Sequence, residues 1–156
     1  MARSIATNTS VDITELLAFV RPRHSMVVMT TRSDGRPQAS PVTGGVDEEG
    51  RIVISTYPER AKAANLRHDP AATVVVHSDD WDGPYVQIDG TAEVLEGEDA
   101  VEPLVEYFRC IAGEHDDWDE YRQAMRDQGK CLIRITPQRW GPIATGGFPP
   151  ENEPQG

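Results

Sequence analysis

Three apolar, β-rich runs follow one another with only turn-forming residues between them: His24–Arg32, Gln38–Val46 and Arg51–Thr56. The links, Ser33-Asp34-Gly35-Arg36-Pro37 and Asp47-Glu48-Glu49-Gly50, are too short to hold a crossover helix. Strands joined this way must run antiparallel, as hairpins. The same pattern predicts strands over Ala72–His77, Tyr85–Leu95 and Cys131–Ile135, separated by segments of different period. Asp12-Ile13-Thr14-Glu15 reads as the cap of a short helix with Leu16, Leu17 and Val20 on its apolar face, stopped by Pro22. Pro58–Arg67 is alanine-rich and predicts a helix with Pro58 near its first turn, ended by His68-Asp69-Pro70. Glu98–Ile111 places Val101, Leu104, Val105, Phe108 and Ile111 at helical spacing, and Asp116–Asp127 reads as a second, more polar helix. Pro137–Pro150 reads as a proline- and glycine-rich tail. Too few long crossovers exist for a parallel sheet, so the expected fold is mainly β: a six-stranded antiparallel barrel with flanking helices. One domain over residues 10–148 uses up a chain of 156 residues, with flexible termini expected at 1–9 and 149–156.

Charge narrows the partners. The formal net charge is −11, which disfavours nucleic acid and anionic membrane as partners of the surface as a whole. The acid is uneven, however: residues 1–78 carry nine basic and eight acidic side chains, whereas 79–130 carry four basic and sixteen acidic. An anionic ligand therefore has only the front half in which to sit. No run of 18 apolar residues occurs, and Met1–Val11 is polar, so neither a membrane span nor a signal core is expected. Cys110 and Cys131 stand far apart without a CxxC pairing, which fits a reducing, cytoplasmic location and argues against a cysteine-based zinc site.

The segment STYPERAKAANLR concentrates the groups that bind anions. Ser55 and Thr56 end a strand, and Arg60, Lys62 and Asn65 surround the start of the following helix. Hydroxyls, free N–H groups at a helix start, a guanidinium and an ammonium suit a phosphate or a carboxylate. A solvated helix face with ordinary charges is the plainer alternative. Against it stands scarcity, since arginine outnumbers lysine thirteen to two and one of those lysines is Lys62. Trp81 and Tyr85 flank Gly83-Pro84, and Trp140 precedes Gly141-Pro142, so each could cover a flat ring or simply pack. His24, His68, His77 and His115 show no metal spacing, and no metal site is expected. The carboxylates around Asp116–Glu120 lack the calcium-loop pattern and read as a solvated helix start. No GxSxG, GxGxxG or Walker loop is present, and no catalytic residue can be named.

DGRPQASPV, ISTYPERAKAANLRHDPAATVVV and VQIDGTAEV occur in the order found in the pyridoxamine-phosphate-oxidase-like split β-barrel superfamily, which this chain resembles. Within it, YFRCIAGEHDDWDEYRQAM and RITPQRWGPIATGGFPP are similar to actinobacterial deazaflavin-dependent oxidoreductases that use coenzyme F420. The resemblance spans about residues 14–148. It implies a six-stranded split barrel, a homodimer, and a cofactor in a groove at the subunit interface. By position it implies that Gln38, Ala39, Ser40 and Pro41 run beside the deazaflavin ring and that Ser55, Thr56, Arg60, Ala61, Lys62 and Asn65 hold the phosphate. His77 and Ser78 fall near cofactor-lining positions, and Tyr85 closes a neighbouring loop of variable length. The expected activity is hydride transfer between F420 and a conjugated small-molecule substrate. The alternatives are an FMN-binding oxidoreductase on the same barrel and a non-catalytic F420-binding or storage protein.

Overall fold

The computed structural model describes residues 7–146, so of the flexible ends expected at 1–9 and 149–156, residues 1–6 and 149–156 lie outside the described residues. The chain begins with β1 (Thr7–Thr9) and α1 (Ile13–Val20). Asp12 and Glu15 form the reciprocal cap that their spacing predicts. The Asp12 carboxylate accepts from the Glu15 N–H at 2.8 Å, and the Glu15 carboxylate accepts from the Asp12 N–H at 3.1 Å. The helix buries Leu16 and Val20 completely. Then come β2 (Ser25–Thr31), β3 (Pro37–Val46), β4 (Ile52–Thr56), α2 (Ala61–His68), β5 (Ala71–Val76) and β6 (Val86–Leu95). A 3-10 turn at Gly97–Ala100 leads into α3 (Val101–Ala112), followed by α4 (Trp118–Gln128), β7 (Cys131–Trp140) and β8 (Ile143–Thr145).

Strands β2 to β7 close a barrel in the order β2-β3-β4-β7-β6-β5, and every neighbouring pair is antiparallel. The expected six-stranded antiparallel barrel with flanking helices is thus the fold. Alternation sends Met26, Val28, Val74, Val76, Val86 and Ile88 into one core. A second, smaller core lies outside the barrel, where α3 and α4 set Leu104, Val105 and Tyr121 against Val53 and Leu132.

One seam of the barrel is incomplete. β3 pairs with β2 along its whole length, from Ser25↔Thr43 to Thr31↔Pro37. With β4 it shares only Gly44↔Ile54, Gly45↔Val53 and Val46↔Ile52, so Pro37–Thr43 part from β4 and open a split. Helix α2 packs against β2, β3 and β6 beside this opening, and its buried Leu66 joins the barrel core.

Three sequence expectations need correction. Thr7–Thr9 form a strand paired with Ile143–Thr145, where a loose terminus and a tail were expected. Helix α2 starts at Ala61 rather than in the region of Pro58, because Arg60 is extended (φ −68°, ψ 147°) and its N–H closes a turn onto the Tyr57 carbonyl. The last barrel strand continues through Pro137 to Trp140 instead of ending near Ile135. Its last pair with β4 is Ile52↔Ile135, and the β6 register shifts between Asp89 and Gly90, so a missing N–H at Pro137 costs little. Gly90 is required at that irregularity, since a Cβ there would lie 2.4 Å from the Thr136 carbonyl oxygen.

Candidate functional site

Two groups of side chains gather on either side of β3. The first surrounds the split. Ser55 and the buried Thr56 end β4, and the chain turns through Tyr57–Arg60 into α2, placing exposed Arg60 and Ala61 and half-buried Lys62 at the helix start. Seven arginines (51, 67, 109, 122, 126, 134 and 139) are each within ion-pair distance of a carboxylate. Among the described residues, Arg60 and Lys62 have no such partner, nor do Arg32 and Arg36. Burial, and then the neighbouring Arg60 charge, push the Lys62 ammonium below the ordinary lysine value. A partly desolvated cation with no internal counter-ion is suited to an anion from outside. Arg67, at the other end of α2, is committed: its guanidinium grips Glu96 through two hydrogen bonds of 3.0 and 2.8 Å.

Asn65 belongs to this group through a buried relay. Its amide donates to the Thr30 hydroxyl at 3.0 Å, and that hydroxyl donates to the Gln38 side-chain oxygen at 2.7 Å. Thr30 is only 2% exposed, so α2 is tied to β3 by a hydrogen-bonded chain that runs through the barrel wall. Ser40 shares the inward face of β3 with Gln38, opposite Val28, and its hydroxyl oxygen is buried without a partner among the described residues.

The second group lies on the outer face. Ala39 and Pro41 point outward opposite Met29 and Val27. Pro41, Val27, Met26, His77, Ser78 and Trp81 help to line one cavity of about 280 Å³. The His77 and Trp81 rings stack with centroids 5.1 Å apart and planes at 27°. His77 Nδ1 lies 2.7 Å from the Ser78 carbonyl oxygen, which can only accept, so Nδ1 carries a proton and neutral His77 presents a bare Nε2. The Ser78 hydroxyl donates to the Pro84 carbonyl, clasping the ends of the loop.

Tyr85 is not brought to either group. Its backbone pairs with Ala144, and its ring lines a separate groove with Gln87, Asp89, Arg139 and Trp140. Trp140 is a packing residue: its indole N–H donates to the Val11 carbonyl at 2.9 Å. His115 lies against Phe108, Trp118 and Tyr121, away from both groups.

Sequence reasoning misses Tyr107. From α3 its phenol donates to the Thr43 carbonyl at 2.8 Å, so it holds β3 at the residue next to Gly44, where the pairing with β4 stops. Burial pushes this phenol above its ordinary value, which keeps it a donor at neutral pH. Thr30 is missed as well, although a lone hydroxyl in the inward series of Met26 and Val28 is a signal that could have found it.

Comparison with known proteins agrees with this fold. The profile of the family described as pyridoxamine 5'-phosphate oxidase matches residues 13–144. A conserved hypothetical protein from Mycobacterium tuberculosis superposes with a TM-score of 0.72 at 23% identity, over 88% of this chain and 87% of that one. A structure described as an F420 reductase gives 0.59 at 17% identity, over 79% and 93%. The heme storage protein HutZ from Vibrio cholerae gives 0.62 at 18%, over 85% and 95%. At these identities the structures share the fold.

Proposed function

Given that the chain belongs to the pyridoxamine 5'-phosphate oxidase family, we propose that it is an oxidoreductase that binds coenzyme F420 at the split and transfers a hydride between it and a conjugated small molecule. The observation that carries this reading is the pair Arg60 and Lys62, two cations without carboxylate partners among the described residues, at the mouth of a barrel whose other arginines are mostly paired. An F420-type cofactor bears a phosphate and an acidic tail, and a chain of net charge −11 must supply local positive charge to hold it.

In this reading Ser55, Thr56, Arg60, Ala61 and Lys62 hold the phosphate, and Gln38–Pro41 form the strand beside the ring. Asn65 works through Thr30 and Gln38 to fix α2 against that strand. When bound, the reduced deazaflavin supplies a hydride from its ring carbon. The protein's part is orientation and a dry face rather than covalent chemistry. The acceptor's proton comes from solvent, because neutral His77 keeps its only N–H on the Ser78 carbonyl. The reading includes a homodimer, with the second copy closing the groove over the outer face.

The same fold also carries a protein described as a heme storage protein, so the second reading is binding without turnover. Parallel titration of the purified protein with F420, FMN, FAD and NADPH tests both. F420 is expected to bind most tightly and its reduced form to be oxidised by a quinone or enone. Preference for FMN would overturn the cofactor, and tight binding with no oxidation by any acceptor would favour storage.

A further inference from the structure

We propose that the cavity against the His77–Trp81 stack is the acceptor site, and that it selects small planar aromatic molecules that are neutral or cationic over anionic ones. The inference deepens the reading above and rests on it for the acceptor's role. At about 280 Å³ the cavity sits just below the ~300–1,000 Å³ usual for ligand pockets, which limits its occupant to a few fused rings. Val27, Met26 and Pro41 make its floor, and the stacked rings make one wall. In the single chain Trp81 is 85% exposed, a large apolar surface that in the proposed dimer faces the groove between the two copies. An indole presented in this way gains most from a flat partner in offset contact.

The wall is built rather than incidental. His77 is held by its bond to the Ser78 carbonyl, and the Ser78 hydroxyl clasps the loop at Pro84. Gly83 leaves no room for a side chain, since a Cβ there would lie 2.7 Å from Ser78 Cβ. Pro41 also belongs to the β3 strand assigned to the cofactor ring, so an occupant of the cavity lies beside the hydride source. Charge then sets the selection. Asp79 lines the cavity and Asp80 and Asp82 flank Trp81, yet none of the three is in an ion pair among the described residues, and no lysine or arginine lines the cavity. An anion meets uncompensated carboxylates there, whereas a cation meets them and the indole face together. The acceptor takes up a hydride from the reduced deazaflavin and a proton from water, a two-electron reduction with no group left over.

Three probes of nearly equal shape test this on the full chain: N-methylacridinium, acridine and acridine-9-carboxylate, titrated at pH 7.5 by fluorescence anisotropy. The cation is expected to bind at least about tenfold more tightly than the carboxylate, with acridine between them. Trp81→Ala should weaken the cation about tenfold and leave F420 affinity within about twofold. The Asp79→Asn, Asp82→Asn pair should shrink the cation-to-anion gap to about threefold or less. Equal binding of anion and cation, indifference to Trp81→Ala, or displacement of the cation by saturating F420 would each overturn the inference. Failure of F420 to bind, with the acridinium pattern intact, would instead remove the cofactor reading and leave the cavity's selectivity standing.

Discussion

Lys62 and Arg60 owe their interest to what they lack among the described residues, a carboxylate partner. Replacing either with alanine should weaken F420 binding by about ten- to a hundredfold, the worth of one charge-assisted contact of ~1.5–3 kcal/mol, and His115→Ala should leave it unchanged. Isothermal titration at low and high salt checks this, because part of the effect is Coulombic and should shrink with salt. The pH dependence has a definite sign. The Lys62 pKa lies below the lysine reference of 10.5, so anion affinity falls as pH rises through that lowered value, earlier than an exposed lysine would allow. Without an anion the linkage reverses: the unfolded chain holds the Lys62 proton more tightly, so stability rises over the same window. Lys62→Arg should abolish both slopes. For His77, the Nδ1–H is committed to the Ser78 carbonyl. His77→Ala should keep the single-turnover rate within about tenfold, since loss of a true general acid costs ~10²–10⁴. A thousandfold loss with cofactor affinity intact would make His77 the proton donor.

Strands and helices differ in how openly the sequence announces them. The hairpins are readable because their turns are local: Gly35 and Gly50 take the positive φ that their turns need, and no distant contact is required. The second half of β7 is hidden by Pro137, whose presence in a central strand makes sense only after β4 has ended. β1 and β8 are three residues each, and each exists because the other pairs with it. At the site, Ser55 to Lys62 are contiguous and can be read together, whereas Tyr107 joins the split from 64 residues beyond Thr43. Tyr107→Phe should cost about 0.5–1.5 kcal/mol in urea unfolding and speed hydrogen exchange in the short β3–β4 ladder beside Thr43, leaving distant barrel amides unchanged. Gly90→Ala should cost about 1–3 kcal/mol, because the new methyl meets backbone rather than a side chain that can move.

The whole molecule presents an unusual outer wall. The register sets Pro41, Val27 and Val75 side by side across three strands, with Ala39 beside Met29 in the next row. Pro41 and Ala39 are exposed and the other three only half-buried, so the barrel carries apolar surface to water beside the split. A dimer of twice 17.2 kDa is therefore expected at micromolar concentration, and sedimentation showing a stable monomer would remove the second copy from the site. A different consequence follows from the strand order. β7 lies between β4 and β6, although both of those precede it in the chain by dozens of residues. During synthesis, then, five strands emerge from the ribosome with the facing edges of β4 and β6 bare. The cylinder cannot shut until the sixth is threaded between them, so the newborn protein spends its wait as an open sheet that depends on its own last strand, or on a chaperone, to keep other chains from taking that place.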